Sequence, residues 1–208
     1  MKAGSSGEVY GIVPASGFSR RMGSQKLVLP WRNKAILSHV LETAAQSHLK
    51  GIYTVIPEGE EERKHIVLKV GCNPIINTLP SNGIGHSLSL AISKLPHTAD
   101  AVMILLGDQP ELRREDIQRV LLRFAHFQSG TDKGSRVVIQ TRYGDGQVGH
   151  PILFSKSFFS DLAQLEGDRG GNRIIRSNSD CSLLVESPHR YPPDIDTMAD
   201  YEKLLIRE

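Results

Sequence analysis

The sequence predicts a doubly wound α/β fold, a mostly parallel sheet with helices on both faces. Three observations lead there. Short apolar runs alternate with stretches of helical period, the order expected of successive βαβ units. The clearest run, "VMILL" at 102–106, is continuously apolar, so it fits a strand buried on both faces. And 208 residues suffice for one sizeable core, which makes a single domain over residues 1–208 the natural expectation.

The elements follow in order. "VYGIVPAS" (9–16) reads as a buried strand ending in a loop. "KAILSHVLETAAQSHL" (34–49) carries Ile36, Val40, Leu41 and Ala44 at helical spacing. "GIYTVIP" (51–57) is a strand closed by proline. "EEERKHIVLKVG" (60–71) is a helix with Gly71 as its C-terminal stop. "NPIINT" (73–78) is a short strand, and "GIGHSLSLAISKL" (83–95) is a helix entered through a glycine loop. "DAVMILLGD" (100–108) is the central strand, and "REDIQRVLLRFAHF" (114–127) a strong helix. "RVVIQTRYGDGQVGHPILF" (136–154) folds as two strands about a glycine-rich turn. "KSFFSDLAQLEG" (156–167) is a helix, "CSLLVES" (181–187) a strand and "TMADYEKLLI" (197–206) a closing helix.

Bulk properties exclude several classes of function. Hydrophobic content of 39% and charged content of 23% are ordinary for a globular protein, and a net charge of +2 is too small for a nucleic-acid or membrane surface. Any anion site must therefore be local. The two cysteines, Cys72 and Cys181, form neither a CxxC pair nor a ligand cluster and fit free thiols in a reducing compartment. No apolar run approaches the length of a membrane span, and the first ten residues lack an apolar signal core, so the cytoplasm is the expected location.

In α/β sheets of this kind, ligands bind beyond the carboxyl ends of the strands. Two segments fall there: "GIVPASGFSRRMGSQK" (11–26) and "GDQP" (107–110). In the first, Gly17 and Gly23 let a ligand approach the backbone closely, and successive N–H groups can cup a phosphate. Arg21 offers a planar fork to phosphate oxygens and Lys26 a mobile point charge. The spacing is neither a Walker A loop nor a dinucleotide-binding GxGxxG. On residue types alone, a solvated basic turn remains an alternative.

The stretch resembles the signature of the MobA-like nucleotidyltransferases, L-A-A-G-x-S-x-R-M-G-x-x-K. Gly17, Ser19, Arg21, Met22, Gly23 and Lys26 match at the family's spacing, and "LVLP" (27–30) continues the match. Within the family it most resembles the molybdenum cofactor cytidylyltransferases and the related accessory proteins of molybdenum hydroxylases. Pro14 and Ser16 depart from the pattern, standing where the branch has Leu and Ala. "LLGDQPEL" (105–112) is similar to the second signature, "DIDTMADYEKL" (194–204) to a late D-x-D-T-P-E-D-L segment, and "NGIGHSLSLAI" (82–92) to a G-M-x-x-S-L loop. "GQVGHPILF" (146–154) and "LEGDRGGNRII" (165–175) resemble two later family segments.

The resemblance implies a nucleotide-diphospho-sugar-transferase-like fold and a Mg²⁺-dependent transfer of CMP from CTP to the phosphate of molybdopterin. It implies Asp108 and Asp196 as metal ligands, and Arg21, Lys26 and Asp108 as the catalytic groups. Ala15, Ser16, Gly17, Ser19, Arg21 and Lys26 would hold the phosphates, Gly83 and Ser87 the base, and His150 and Asp168 the acceptor. A hard cation held by carboxylates, with waters and phosphates completing its shell, is consistent with that set. Read from residues alone, Asp108 could serve a turn, Asp196 or Thr197 could cap the last helix, and Gly83 to Ser87 could simply start one. Other readings stay open: GTP as donor, a sugar phosphate as acceptor, or a non-catalytic carrier of finished cofactor.

Overall fold

The computed structural model describes residues 7–17, 22, 25–130 and 134–207. Strand β1 (Val9–Pro14) runs into a loop. A short hairpin follows, β2 (Pro30–Trp31) with β3 (Lys34–Ala35), leading into α1 (Ile36–Ala45). Then come β4 (Ile52–Pro57), α2 (Glu61–Val70), β5 (Asn73–Asn77), α3 (Gly83–Ile92), β6 (Ala101–Ile104) and α4 (Arg114–Ser129). The second half contributes β7 (Val138–Arg142), β8 (Val148–Ser155), α5 (Phe159–Ala163), α6 (Asn172–Ser177), β9 (Ser182–Glu186) and α7 (Met198–Leu205).

Seven strands form one sheet in the order β5-β4-β1-β6-β8-β7-β9. Strand β8 is antiparallel to both its neighbours, β6 and β7, while the other pairings are parallel. From β1 the chain winds outward through β4 to β5, then crosses back over α3 to place β6 on the other side of β1. The chain therefore reverses its winding at β1 and β6, where α/β sheets open a crevice.

Two apolar layers sandwich the sheet. Consecutive strand residues point to opposite faces, and each central strand supplies a buried residue to both. Val13, Ile56, Met103 and Leu153 pack against α1, α2, α4 and α7. Their neighbours Ile12, Val55, Val102 and Ile152 pack against α3, α5 and α6. That double burial is why the strands read as continuous apolar runs.

The structure adjusts several expected boundaries. The segment 156–167 is a 3-10 turn followed by the five-residue α5, not one long helix. Helix α3 begins at Gly83 itself. The hairpin β2–β3 and helix α6 are additional elements, the latter beginning within "LEGDRGGNRII" (165–175), at a point where the sequence predicts no element. Gly71 ends α2 in the left-handed conformation, at φ 84°, as expected of a glycine stop. Thr197 caps α7 with a reciprocal bond to Asp200, so the cap is made without the Asp196 side chain.

Candidate functional site

A cavity of about 420 Å³ lies at the carboxyl ends of β1 and β6. Ala15, Ser16 and Gly17 follow β1 along one wall, and Gly107 and Asp108 follow β6. Gly83 and Ser87 of α3 line the opposite side, with Lys26, Asp168 and Asp196 around the rim. Most of the expected residues thus meet in one place although 170 positions separate Lys26 from Asp196. Ser19, Arg21 and Gly23 lie outside the described residues. His150 is on β8, away from the lining residues. Its carbonyl accepts the Tyr143 hydroxyl at 2.5 Å, and burial pushes its imidazole down to about 4, so the ring is neutral at physiological pH.

The charges are concentrated on one lysine. Lys26 Nζ donates to Asp108 Oδ2 at 2.6 Å and to Asp196 Oδ1 at 2.8 Å. Burial opposes its charge, but the attraction and hydrogen bonds of Asp108 and Asp196 outweigh that and raise its pKa above the ordinary value. Asp196 reaches this point because Ile195 N donates to the Asp108 carbonyl at 3.0 Å, laying the C-terminal segment across the end of β6.

A third carboxylate stands behind the pair. Asp194 Oδ1 accepts from Gln109 Nε2 at 2.8 Å, and burial together with the charge on Asp108 pushes its pKa up to about 6. The same Gln109 nitrogen reaches the Tyr191 hydroxyl at 2.9 Å and the Pro192 carbonyl at 3.1 Å. Gln109 is fully buried, and these bonds from its Nε2 tie Tyr191, Pro192 and Asp194 to the segment after β6, while its Oε1 is buried without a hydrogen-bond partner. Sequence reasoning missed Asp194 and Gln109, although both sit inside the motifs that flagged Asp108 and Asp196.

The cavity floor is a hydroxyl network. Ser16 Oγ and Ser87 Oγ are 2.7 Å apart, and Asn77 Nδ2 lies 3.4 and 3.3 Å from them. All three residues are buried. The hydroxyl that distinguishes Ser16 from the family's alanine is therefore satisfied within the chain. The glycines of α3 also have a packing reason. A Cβ on Gly83, at φ 79°, would lie 2.4 Å from the Gly167 backbone, and one on Gly85 would lie 2.8 Å from Glu166. Gly85 N donates to Gly167 O at 2.8 Å, which brings Asp168 to the rim.

Arg63 of α2 is another residue the sequence left unmarked. It is 1% exposed, and its Nη1 donates to the carbonyls of Ala15 at 2.7 Å and Gly17 at 3.2 Å. Met22, from the heart of the opening motif, is buried in the layer that holds α1 and α2.

Comparison with known proteins bears directly on this arrangement. The model of the MobA-like NTP transferase domain matches residues 11–181, most of the chain. The chain belongs to this family. This MobA-like protein is 29% identical over 205 residues to the purine catabolism protein PucB of Bacillus subtilis, a match spanning 93% of the chain and 94% of PucB. Its fold is that of Rv0371c from Mycobacterium tuberculosis H37Rv, with a TM-score of 0.78, 28% identity and coverage of 96% and 98% of the two chains. The complex of Rv0371c with manganese superposes with a TM-score of 0.76 at 25% identity, covering 97% of this chain and all of that one. The motifs from Gly11 to Cys181 thus fall within a matched nucleotidyltransferase domain.

The site also fits a divalent metal. Two carboxylate oxygens from Asp108 and Asp196 already converge on one cation, the Lys26 ammonium. Among the described residues, no group of three or more His, Cys, Asp or Glu is arranged to hold a metal. A donor set of two carboxylates suits Mg²⁺ or Mn²⁺, whose shell is completed by water and substrate phosphates. No helix of the described residues is long and apolar enough to cross a membrane.

Proposed function

We propose that this MobA-like nucleotidyltransferase moves CMP from CTP to the phosphate of molybdopterin, releasing pyrophosphate, with Mg²⁺ held by Asp108 and Asp196. The observation that carries the reading is the convergence of those two carboxylates on a single cation beside the loop that follows β1. When bound, the metal would neutralise phosphate charge and orient the reacting oxygens.

The chain's own residues do the rest by position and charge. Transfer is an in-line displacement: an acceptor phosphate oxygen bonds to the α-phosphorus as the bond to the pyrophosphate oxygen breaks. A phosphate acceptor is largely ionised near neutral pH and needs no base to take its proton. The backbone N–H groups of Ser16 and Gly17 would cradle the β- and γ-phosphates. The Lys26 ammonium, on a flexible four-carbon stem, would reach from the carboxylates to the leaving pyrophosphate. Arg21 would supply a second cation. Gly83 and Ser87 would face the base, and Asp168 the acceptor.

The test is direct. The protein is incubated with CTP or GTP, Mg²⁺ and molybdopterin, and pyrophosphate release is followed together with the mass of the product. A cytosine dinucleotide is expected. A guanine dinucleotide would overturn the choice of nucleotide. Release seen only with a sugar phosphate would overturn the acceptor, and cofactor binding without release would replace the enzyme with a carrier.

A further inference from the structure

We propose that the start of α2 is a clasp that holds the Ala15–Gly17 backbone in its binding shape, with Arg63 as a positioning residue for the triphosphate. The inference rests on the phosphate-binding reading of the loop. Burying a guanidinium costs several kcal/mol unless its hydrogen bonds are replaced, and an apolar residue of similar size often serves stability as well or better. Arg63 is nonetheless 1% exposed and incompletely compensated. Its Nε is buried without a hydrogen-bond partner, and the nearest carboxylate oxygen, Glu60 Oε2, is 3.8 Å away. What it does hold is the loop. Nη1 takes the Ala15 and Gly17 carbonyls, the two that bracket Ser16.

Peptide geometry turns that contact into function. In a trans peptide, C=O and N–H point in opposite directions. Drawing the Ala15 carbonyl toward α2, on one face of the sheet, aims the Ser16 N–H away from it, toward α3 and the cavity. The Ala15 N–H is fixed independently on the Val55 carbonyl at 2.8 Å. The loop's exit is held from the same turn. Glu60 Oε1 accepts from Gln25 Nε2 at 2.9 Å, one residue before Lys26. Arg63 and Glu60 therefore hold Gly17 and Gln25 from one turn of α2. The guanidinium also places a fixed positive charge directly behind the anion cradle.

Arg63→Gln removes the charge and keeps a donor, while Arg63→Lys keeps the charge and loses the fork. Binding of inorganic tripolyphosphate is measured by calorimetry, so the readout does not depend on the base or the acceptor. Amide hydrogen exchange is followed in peptides covering Ala15–Gly17 and Gln25–Leu27. Arg63→Gln is expected to weaken tripolyphosphate binding at least tenfold and to speed exchange in both peptides, with β6 and α4 unchanged. In turnover, KM for the nucleotide rises while kcat changes less than about threefold, the pattern of lost uniform binding. Arg63→Lys recovers part of both effects and serves alone if the glutamine variant does not fold. Wild-type affinity and unchanged exchange in a folded variant would overturn the clasp. If the wild-type protein binds no tripolyphosphate or nucleotide, the phosphate-binding reading fails, and with it the clasp's role in binding. Exchange then judges the mechanical grip by itself.

Discussion

Two clusters of this molecule, each built on aspartate, serve opposite ends. At the cavity, Asp108 and Asp196 meet Lys26 with side chains 20%, 38% and 14% exposed, open to an incoming ion or phosphate. Outside the cavity's lining, Asp116 of α4 accepts the Ser187 hydroxyl at 2.6 Å and His189 Nδ1 at 3.0 Å, with its own side chain only 1% exposed. A serine, a histidine and an aspartate within hydrogen-bond reach look like hydrolytic machinery. The connectivity rules that out: the serine hydroxyl is given to the aspartate, so the histidine is not placed to take its proton. The sealed cluster ties the segment after β9 to α4. Access and connectivity, not composition, separate a reactive site from a tether.

The contrast can be broken in order of expected effect. Asp108→Asn should lower nucleotidyl transfer by about 10³-fold and shift the thermal midpoint by less than about 3 °C, because Lys26 keeps Asp196. Activity above a tenth of wild type would remove Asp108 from the chemistry. Asp116→Ala should do the reverse. Stranding Ser187 and His189 costs roughly 3 kcal/mol, or about 6–12 °C in a chain of this size, while kcat in the folded protein stays within about twofold. A smaller effect is expected from thiol labelling at pH 8. Cys72 is buried and its thiol is pushed up to about 11 by burial, so it should react at least ~10-fold more slowly than the partly exposed Cys181. Equal rates would show that the α1–α2 layer opens readily.

The smallest effect concerns pH. The pKa of Lys26 is raised above its ordinary 10.5 in the folded chain, so its contribution to stability is complete below that value and is lost as pH rises through the folded one. The metal-free protein should melt about 2 °C above Lys26→Met. That gap should hold between pH 8 and pH 10 and narrow above 10.5. A gap that widens in alkali would mean that the lysine is held by something other than its two carboxylates.

Much of the fold was legible because double burial leaves a plain trace: runs such as "VMILL" have one reading in an α/β chain. The hairpin β2–β3 was not, since two-residue strands are too short to show a period. The direction of β8 follows from its tight turn with β7, which permits only antiparallel pairing. At the site, Asp108, Asp196 and Lys26 were legible from motifs. Arg63 was not, because within "EEERK" it reads as one more charge on a solvated helix face. Its burial comes from the approach of the loop, a long-range event with no local signature. His150 shows the converse, a motif residue that the fold places outside the cavity. The packing of Gly83 and Gly85 against 166–168 gives those glycines a structural reason that spacing could not distinguish from base recognition.

The strap that carries Asp196 also sets a schedule. A ribosome makes residues in order, at roughly 5–20 per second. The phosphate loop, Arg63 and Asp108 therefore leave it first, and Asp196 follows roughly 4–20 s later. Until then Lys26 can pair with Asp108, but the second carboxylate is missing from the pair. A chain that stops short of Asp196 has the Lys26–Asp108 pair but lacks the second carboxylate that Lys26 binds.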